Sequence, residues 1–246
     1  RAINLRSFPI NYTLFVTSDR KDKVKYQESK INRKKFVSGQ KNFGLGFNFC
    51  NFNASYRQTL MEATRDIPAE ELSALRDPAT RRGAFDRLVG TYLRPLYWHA
   101  RRLVVVHEDA EDVVQETFIR AYDKIGTFRG GAGELGAWLY RIATNTALTM
   151  LRRRRPGLFS SLDDVSRILA SRVAEECGED ADRTLVRFQQ AILELPLKQR
   201  LVFNLRYYDR MPYGQIARVL GQREETLKVN YHHAVQKLKE KLTREL

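Results

Sequence analysis

Apolar residues recur at helical spacing in segment after segment from Ala84 to the end of this 246-residue chain, and no stretch of useful length alternates apolar with polar as a strand does. That pattern restricts the fold to all-α. Ala84–Val105 puts Phe85, Leu88, Val89, Tyr92, Leu93, Leu96 and Tyr97 on one helical face, with Pro95 expected to perturb or divide the helix. A second helix is predicted over Asp109–Ile125. Its first turn carries Asp109, Glu111 and Asp112, where the helix dipole favours acids, and Val113, Val114, Phe118, Ile119 and Tyr122 form its apolar side. The glycine-rich Gly126–Gly133 reads as a flexible loop. A third helix, Glu134–Arg154, stops ahead of Pro156. Further helices are predicted at Arg183–Leu193, Leu197–Tyr208, Tyr213–Leu220 and Glu224–Arg244.

Two small helical modules follow, residues 80–155 and 183–246, each ending in a basic helix. Residues 156–182 join them as a linker rich in acids (Asp163, Asp164, Glu175, Glu176, Glu179, Asp180, Asp182), within which Ser166–Glu176 is expected to form a short helix.

Residues 1–60 differ from the rest. They hold seven of the 13 Phe and only two Ala, and their twelve Lys and Arg against three acids supply most of the net charge of +14. No period of 3.6 or 2 is sustained there. This segment is expected to be a poorly ordered or non-native extension, Met61 being a usable start. Net charge is therefore a weak guide to the rest of the chain, though a basic balance favours a polyanionic partner.

Several function classes are excluded. Cys50 and Cys177 are far apart, and neither neighbours His99, His107, His232 or His233, so no zinc finger or redox pair is predicted. No apolar run approaches the roughly 20 residues that span a bilayer, and no signal peptide is evident; a cytoplasmic protein without membrane insertion is expected. There is no nucleophile–base constellation, phosphate loop or metal cluster, so neither enzymatic activity nor a cofactor or metal is expected.

Two segments carry positive signals. Tyr213–His233 has the spacing of a helix-turn-helix: small Ala217, Gly221 four residues on at the left-handed helix end, and Leu227 ten residues after Ala217. Ile216, Leu220, Val235 and Leu238 are suited to complete its core. The second helix would enter a major groove with Lys228, Asn230, His232, His233 and Gln236. His232 and His233 point about 100° apart and cannot easily share a metal. In the front module, Trp138–Asn145 mixes aromatic, polar and basic groups ahead of Arg152–Arg155. Aromatic rings stack on unpaired bases and arginines hold the backbone. Phe128 and Arg129 could line a pocket for an extruded base, and Asn145 could read a base edge. Trp138, Leu139 and Ile142 are expected in the core. Asp112, Gln115, Glu116 and Ile119 share one face of the acidic helix, suited to a basic partner helix.

These segments resemble the sigma-70 family of RNA polymerase sigma factors, in its two-module extracytoplasmic-function (ECF) group. Asp109–Tyr122 is similar to the part that docks on core RNA polymerase. Phe128-Arg-Gly, Trp138–Asn145 and Arg152–Arg155 are similar to the part that melts and reads the −10 element. Leu195–Asp209 with the following helix-turn-helix is similar to the −35-reading module. The resemblance covers residues 80–243. It implies a region 2-like module at 80–155, an acidic linker at 156–182 that threads polymerase channels, and a region 4-like module at 183–246. It also implies core RNA polymerase, promoter DNA and an anti-sigma factor as partners. By the same resemblance Asp112, Gln115, Glu116 and Ile119 would bind polymerase. Phe128, Arg129, Arg141, Asn145, Arg152 and Arg153 would bind the −10 DNA. Lys228, Asn230, His232 and His233 would bind the −35 DNA. Thr149, Pro212, and Val229-Asn230 depart from residues usual in the family. The alternative is a stand-alone helix-turn-helix regulator whose front module serves dimerisation.

Overall fold

The computed structural model describes residues 2–4, 13–15, 67–153, 169–170, 172–173 and 183–244. The chain divides into two units, Arg1–Gly46 and Phe47–Leu246. In the first, the described residues are two short antiparallel strands, β1 (Ala2–Asn4) and β2 (Thr13–Phe15), with Ile3 opposite Leu14. The sequence lacks the length of alternation that would have announced them. Everything else expected of residues 1–60, and most of the 156–182 linker, lies outside the described residues.

In the second unit the regular secondary structure of the described residues is helical. α1 (Ala69–Arg76) was not anticipated: it is short, and only Leu72 and Leu75 of its side chains are buried. It packs on α2 (Arg81–Val104). α2 runs undivided through Pro95, so of the two expected outcomes, a perturbed helix or a divided one, division does not occur. The proline removes one hydrogen bond, at about 3 kcal/mol. On either side of it Tyr92, Leu96, Trp98, Leu103 and Val104 are buried, each stabilising the helix in place by about 1.5–3 kcal/mol, so packing wins. α2 ends where Val105 takes a positive φ of 67°, and α3 (His107–Lys124) starts two residues later.

A short 3-10 turn, Ile125–Thr127, then leads to a loop whose carbonyls and amide are hydrogen-bonded. The Arg76 guanidinium donates to the carbonyls of Phe128 (2.9 Å) and Gly130 (2.8 Å), and the Gly131 N–H donates to Glu134 Oε2 (3.0 Å). At Gly130 a Cβ would lie 2.5 Å from the Phe128 ring, so a larger residue would have to displace that ring. α4 (Ala132–Arg153) follows. Its buried residues run from Leu135 round through Leu139, Ala143 and Tyr140 to Thr144 and Leu148, more than half its circumference, since α2, α3 and a helix of the C-terminal module all cover it. Of the three expected core residues, Leu139 is buried; Ile142 is half-buried at the edge of that arc, and Trp138 is half-buried on the opposite side of the helix, against the Phe128 ring.

Leu169, Ala170, Arg172 and Val173 are helical, within the expected Ser166–Glu176 helix, and Gln190 Nε2 donates to the Ala170 carbonyl (3.3 Å). The C-terminal module comprises α5 (Arg183–Leu193), α6 (Leu197–Phe203), α7 (Tyr213–Leu220) and α8 (Glu224–Arg244). The helix expected to run to Tyr208 is α-helical only to Phe203. Asn204–Tyr208 widens into a π-type turn, with Asp209 N–H bonded to the Asn204 carbonyl five residues back (3.1 Å). Ala191, Ile192, Leu195, Phe203, Tyr208, Ala234 and Leu238 form the module core. Gly221 adopts the expected left-handed conformation (φ 65°), its N–H bonded to the Ala217 carbonyl at 2.8 Å, and turns the chain from α7 into α8.

Candidate functional site

Three faces collect the candidate residues. The first is a cleft of about 510 Å³ between α3 and α4. α3 contributes Asp112, Gln115, Glu116 and Ile119, whose offsets of three, four and seven place them on one side of the helix. All four expected docking residues thus share one groove. Sequence reading missed the other side of it: Arg120, and Thr146, Thr149, Met150 and Arg153 from α4. The α4 set follows the same helical spacing, but which helix would face it is a tertiary fact. Arg120 Nε donates to Glu116 Oε1 (2.7 Å), and its Nη1 donates to Thr146 Oγ1 (3.3 Å). The groove is therefore mixed in charge, with Glu116 paired within it and Asp112 exposed at its edge.

Arg153 lies in this groove and not with the other −10 candidates. Arg141, Asn145 and Arg152 are separated by four and seven residues, one stripe of α4, and all three are exposed. Arg153 stands about 100° round from Arg152. The stripe continues to Trp138, on whose ring Phe128 rests at 4.9 Å between centroids. Arg129 is exposed beside it. An aromatic pair at one end of a basic, amide-bearing stripe can stack on bases and hold a backbone.

The third face is the outer side of α8. Leu227, Ala234 and Leu238 are buried, so Lys228, His232 and His233, on the opposite side, are exposed. Asn230 instead flanks the core stripe and is half-buried. Val229 is 53% exposed, between the basic residues. Lys228 Nζ and the Arg206 guanidinium both approach the Tyr213 ring, at 5.9 and 5.1 Å. Exposed Arg223, just before α8, adds a cation that sequence reading did not single out. Among the described residues no group of three or more His, Cys, Asp or Glu could hold a metal. No helix among them is long and apolar enough to cross a membrane.

Residues 88–156 match the family model of sigma-70 region 2, and residues 185–238 match that of sigma-70 region 4. The chain is 32% identical over 167 residues to the ECF RNA polymerase sigma factor SigW of Bacillus subtilis, an alignment covering 65% of this chain and 89% of SigW. The chain belongs to the ECF group of the sigma-70 family. It is a promoter-specific transcription initiation factor, and its match to both regions disfavours a stand-alone regulator. The ECF sigma factor SigM of Mycobacterium tuberculosis is 33% identical over 147 residues, covering 60% of this chain and 71% of SigM. Among solved structures, CnrH in complex with the cytosolic domain of CnrY aligns with a TM-score of 0.53 at 25% identity, over 73% of this chain and all of CnrH. The sigma factor RpoE from Bartonella quintana, in complex with the anti-sigma factor NepR, aligns with a TM-score of 0.50 at 26% identity, over 65% and 96% of the two chains. Apart from the two short strands of the first unit, the helical, two-region architecture of the described residues agrees with the all-α expectation.

Proposed function

We propose that the three faces divide the work of initiation, with the α3–α4 cleft docking a helical element of core RNA polymerase. The observation that carries this reading is the gathering of Asp112, Gln115, Glu116 and Ile119 along one groove. A groove between two packed helices takes the ridge of a third, and the exposed carboxylate of Asp112 suits a basic side chain on it. Arg153, by its position, belongs with this contact. Phe128, Arg129, Arg141, Asn145 and Arg152 bind the −10 element, the arginines on phosphate and the aromatic and amide groups on separated bases. Lys228, His232 and His233 face the −35 groove, with Asn230 at its edge. The acidic 156–182 linker threads channels meant for nucleic acid. An anti-sigma protein restrains the factor, a reading supported by analogy with the complex of RpoE and the anti-sigma factor NepR. The chain acts in the cytoplasm, without a cofactor and without catalytic activity of its own.

Two measurements test the assignments. Asp112→Ala should weaken core polymerase binding by up to about fivefold, the size of an exposed ion pair, with helical content unchanged; unaltered affinity would overturn the docking face. Lys228→Ala should weaken promoter binding by about 1–3 kcal/mol. A loss uniform across promoter sequences, with a shallower salt dependence, would identify a phosphate contact. Transcription from a matched promoter at the wild-type level would remove Lys228 from the interface.

A further inference from the structure

α1 makes a contact that none of the three faces accounts for. Its last residue, Arg76, is exposed and reaches across to the loop between α3 and α4. Its Nε and Nη2 both donate to the Phe128 carbonyl (3.2 and 2.9 Å), and Nη2 also donates to the Gly130 carbonyl (2.8 Å). A basic residue in the last turn of a helix ordinarily serves that helix's own terminal carbonyls. In α1 these are already taken. The Asp77 N–H donates to the Ser73 carbonyl (3.1 Å) and Thr80 Oγ1 to that of Ala74 (2.9 Å). The Arg81 guanidinium donates to the carbonyls of Leu75 (3.1 Å) and Arg76 (3.0 Å). The Arg76 guanidinium is thereby left to bond the loop.

α1 is fastened by other means. Leu72 and Leu75 are buried, and Glu71 Oε1 accepts from Arg87 Nε of α2 (2.9 Å). The helix packs on both α2 and the Ile125–Thr127 turn. Arg81 stands close beside that turn, where a Cβ at Gly126 would lie 3.0 Å from its Nη2. The Arg76 guanidinium is therefore presented from a fixed support. At the far end of the loop, Glu134 Oε2 holds the Gly131 N–H (3.0 Å). Charge-assisted bonds from a planar fork set orientation as well as distance, which a single point charge cannot do.

The loop so held carries two of the −10 candidates. Fixing the Phe128 carbonyl restricts the direction in which its side chain leaves the backbone, and its ring is seated 4.9 Å from that of Trp138. Arg129, between the two bonded carbonyls, stays exposed. A base that leaves its stack needs an aromatic surface and donor groups already in place. A loop that had to be ordered at that moment would lose part of the binding energy to its own ordering. Discrimination between bases likewise requires side chains whose neighbours lock them.

We propose that Arg76 is a positioning residue for −10 recognition: without touching DNA, it sets the Phe128–Gly130 loop from α1 in the conformation that receives an extruded base. The proposal rests on the assignment of the −10 face to Phe128, Arg129 and the α4 stripe. It extends that face to a helix lying ahead of residue 88, where the match to region 2 begins.

The test uses holoenzyme assembled from core RNA polymerase and the full-length chain, as wild type, Arg76→Ala, Arg76→Lys or Phe128→Ala. Affinity is measured for single strands carrying the −10 element of a promoter that wild type transcribes, with each base replaced in turn. Arg76→Ala should bind the matched strand about tenfold more weakly, the loss of one stacked base. It should also discriminate less between matched and replaced bases, with core affinity and helical content unchanged. Arg76→Lys should be impaired equally, since an ammonium keeps the charge but not the fork. Wild-type behaviour of Arg76→Lys would mark a phosphate contact and overturn the proposal, as would a loss in Arg76→Ala that is uniform across the strands. Wild-type binding by Arg76→Ala beside an impaired Phe128→Ala would overturn the role of Arg76 and leave the −10 face standing. Loss of helical content or of core affinity in both Arg76 variants would make the residue part of the module's folding and sink the proposal equally. Unimpaired Phe128→Ala would refute the −10 face itself, and the role of Arg76 with it.

Discussion

Replacing Phe85 by alanine is expected to lower the stability of the front module by about 3–5 kcal/mol. Phe85 is 2% exposed, and its ring meets those of Phe118 and Tyr122 edge-on, at 6.2 and 5.0 Å between centroids. Both partners are on α3, so this ring is a main fastening between α2 and α3. Truncation loses the transfer energy of a large side chain and leaves a cavity that rigid helices collapse into only partly. Against a total of about 5–15 kcal/mol for a typical domain, the loss is a large fraction. The functional consequence follows from the same geometry. Asp112, Gln115, Glu116 and Ile119 ride on α3, so core polymerase affinity should fall together with the melting temperature. Denaturant unfolding measures the first effect. A destabilisation below about 1 kcal/mol would show that the seam is held elsewhere.

The second large effect is expected at Leu227→Ala, with a loss of about 2–5 kcal/mol in the C-terminal module. Leu227 is fully buried in the first turn of α8, where its N–H bonds to the Arg223 carbonyl (3.2 Å). It fixes the angle at which the recognition helix leaves the Gly221 turn. Without it, Lys228, His232 and His233 keep their chemistry but lose a common orientation, and binding to a −35 duplex should fall with stability. Leu227→Met, which conserves volume, should cost less than about 1.5 kcal/mol and retain binding. Retained duplex binding by Leu227→Ala at temperatures where wild type is folded would argue that α8 is positioned by other contacts.

The features read correctly from the residues were local ones. Gly221 predicted a left-handed helix end because only the backbone four residues either side of it is involved. The offsets of Asp112, Gln115, Glu116 and Ile119 predicted a shared face because a helix imposes that geometry whatever surrounds it. The errors have a common origin as well. Pro95 read as a perturbation or a division of its helix, and division does not occur because the buried residues flanking it outweigh one lost hydrogen bond. α1 was overlooked because two leucines make no periodicity until α2 is there to cover them. The partner of the Phe128 and Gly130 carbonyls was not legible either, because Arg76, which donates to both, lies more than fifty positions away in sequence.

Helical class, the order of the modules and the turn between α7 and α8 were thus determined by the sequence itself, since each depends on groups within a few residues of one another. Arg153 facing the cleft rather than the −10 stripe, and Asp209 buried against His99 and Arg102, were decided only by tertiary structure. In the latter case the partners lie 110 and 107 positions apart. Charged residues at such separation carry no periodic signal, and a lone Asp, His or Arg is as compatible with solvent as with a buried pair. Only the packing of α7 on α4 brings them close enough for their attraction to offset the cost of leaving water.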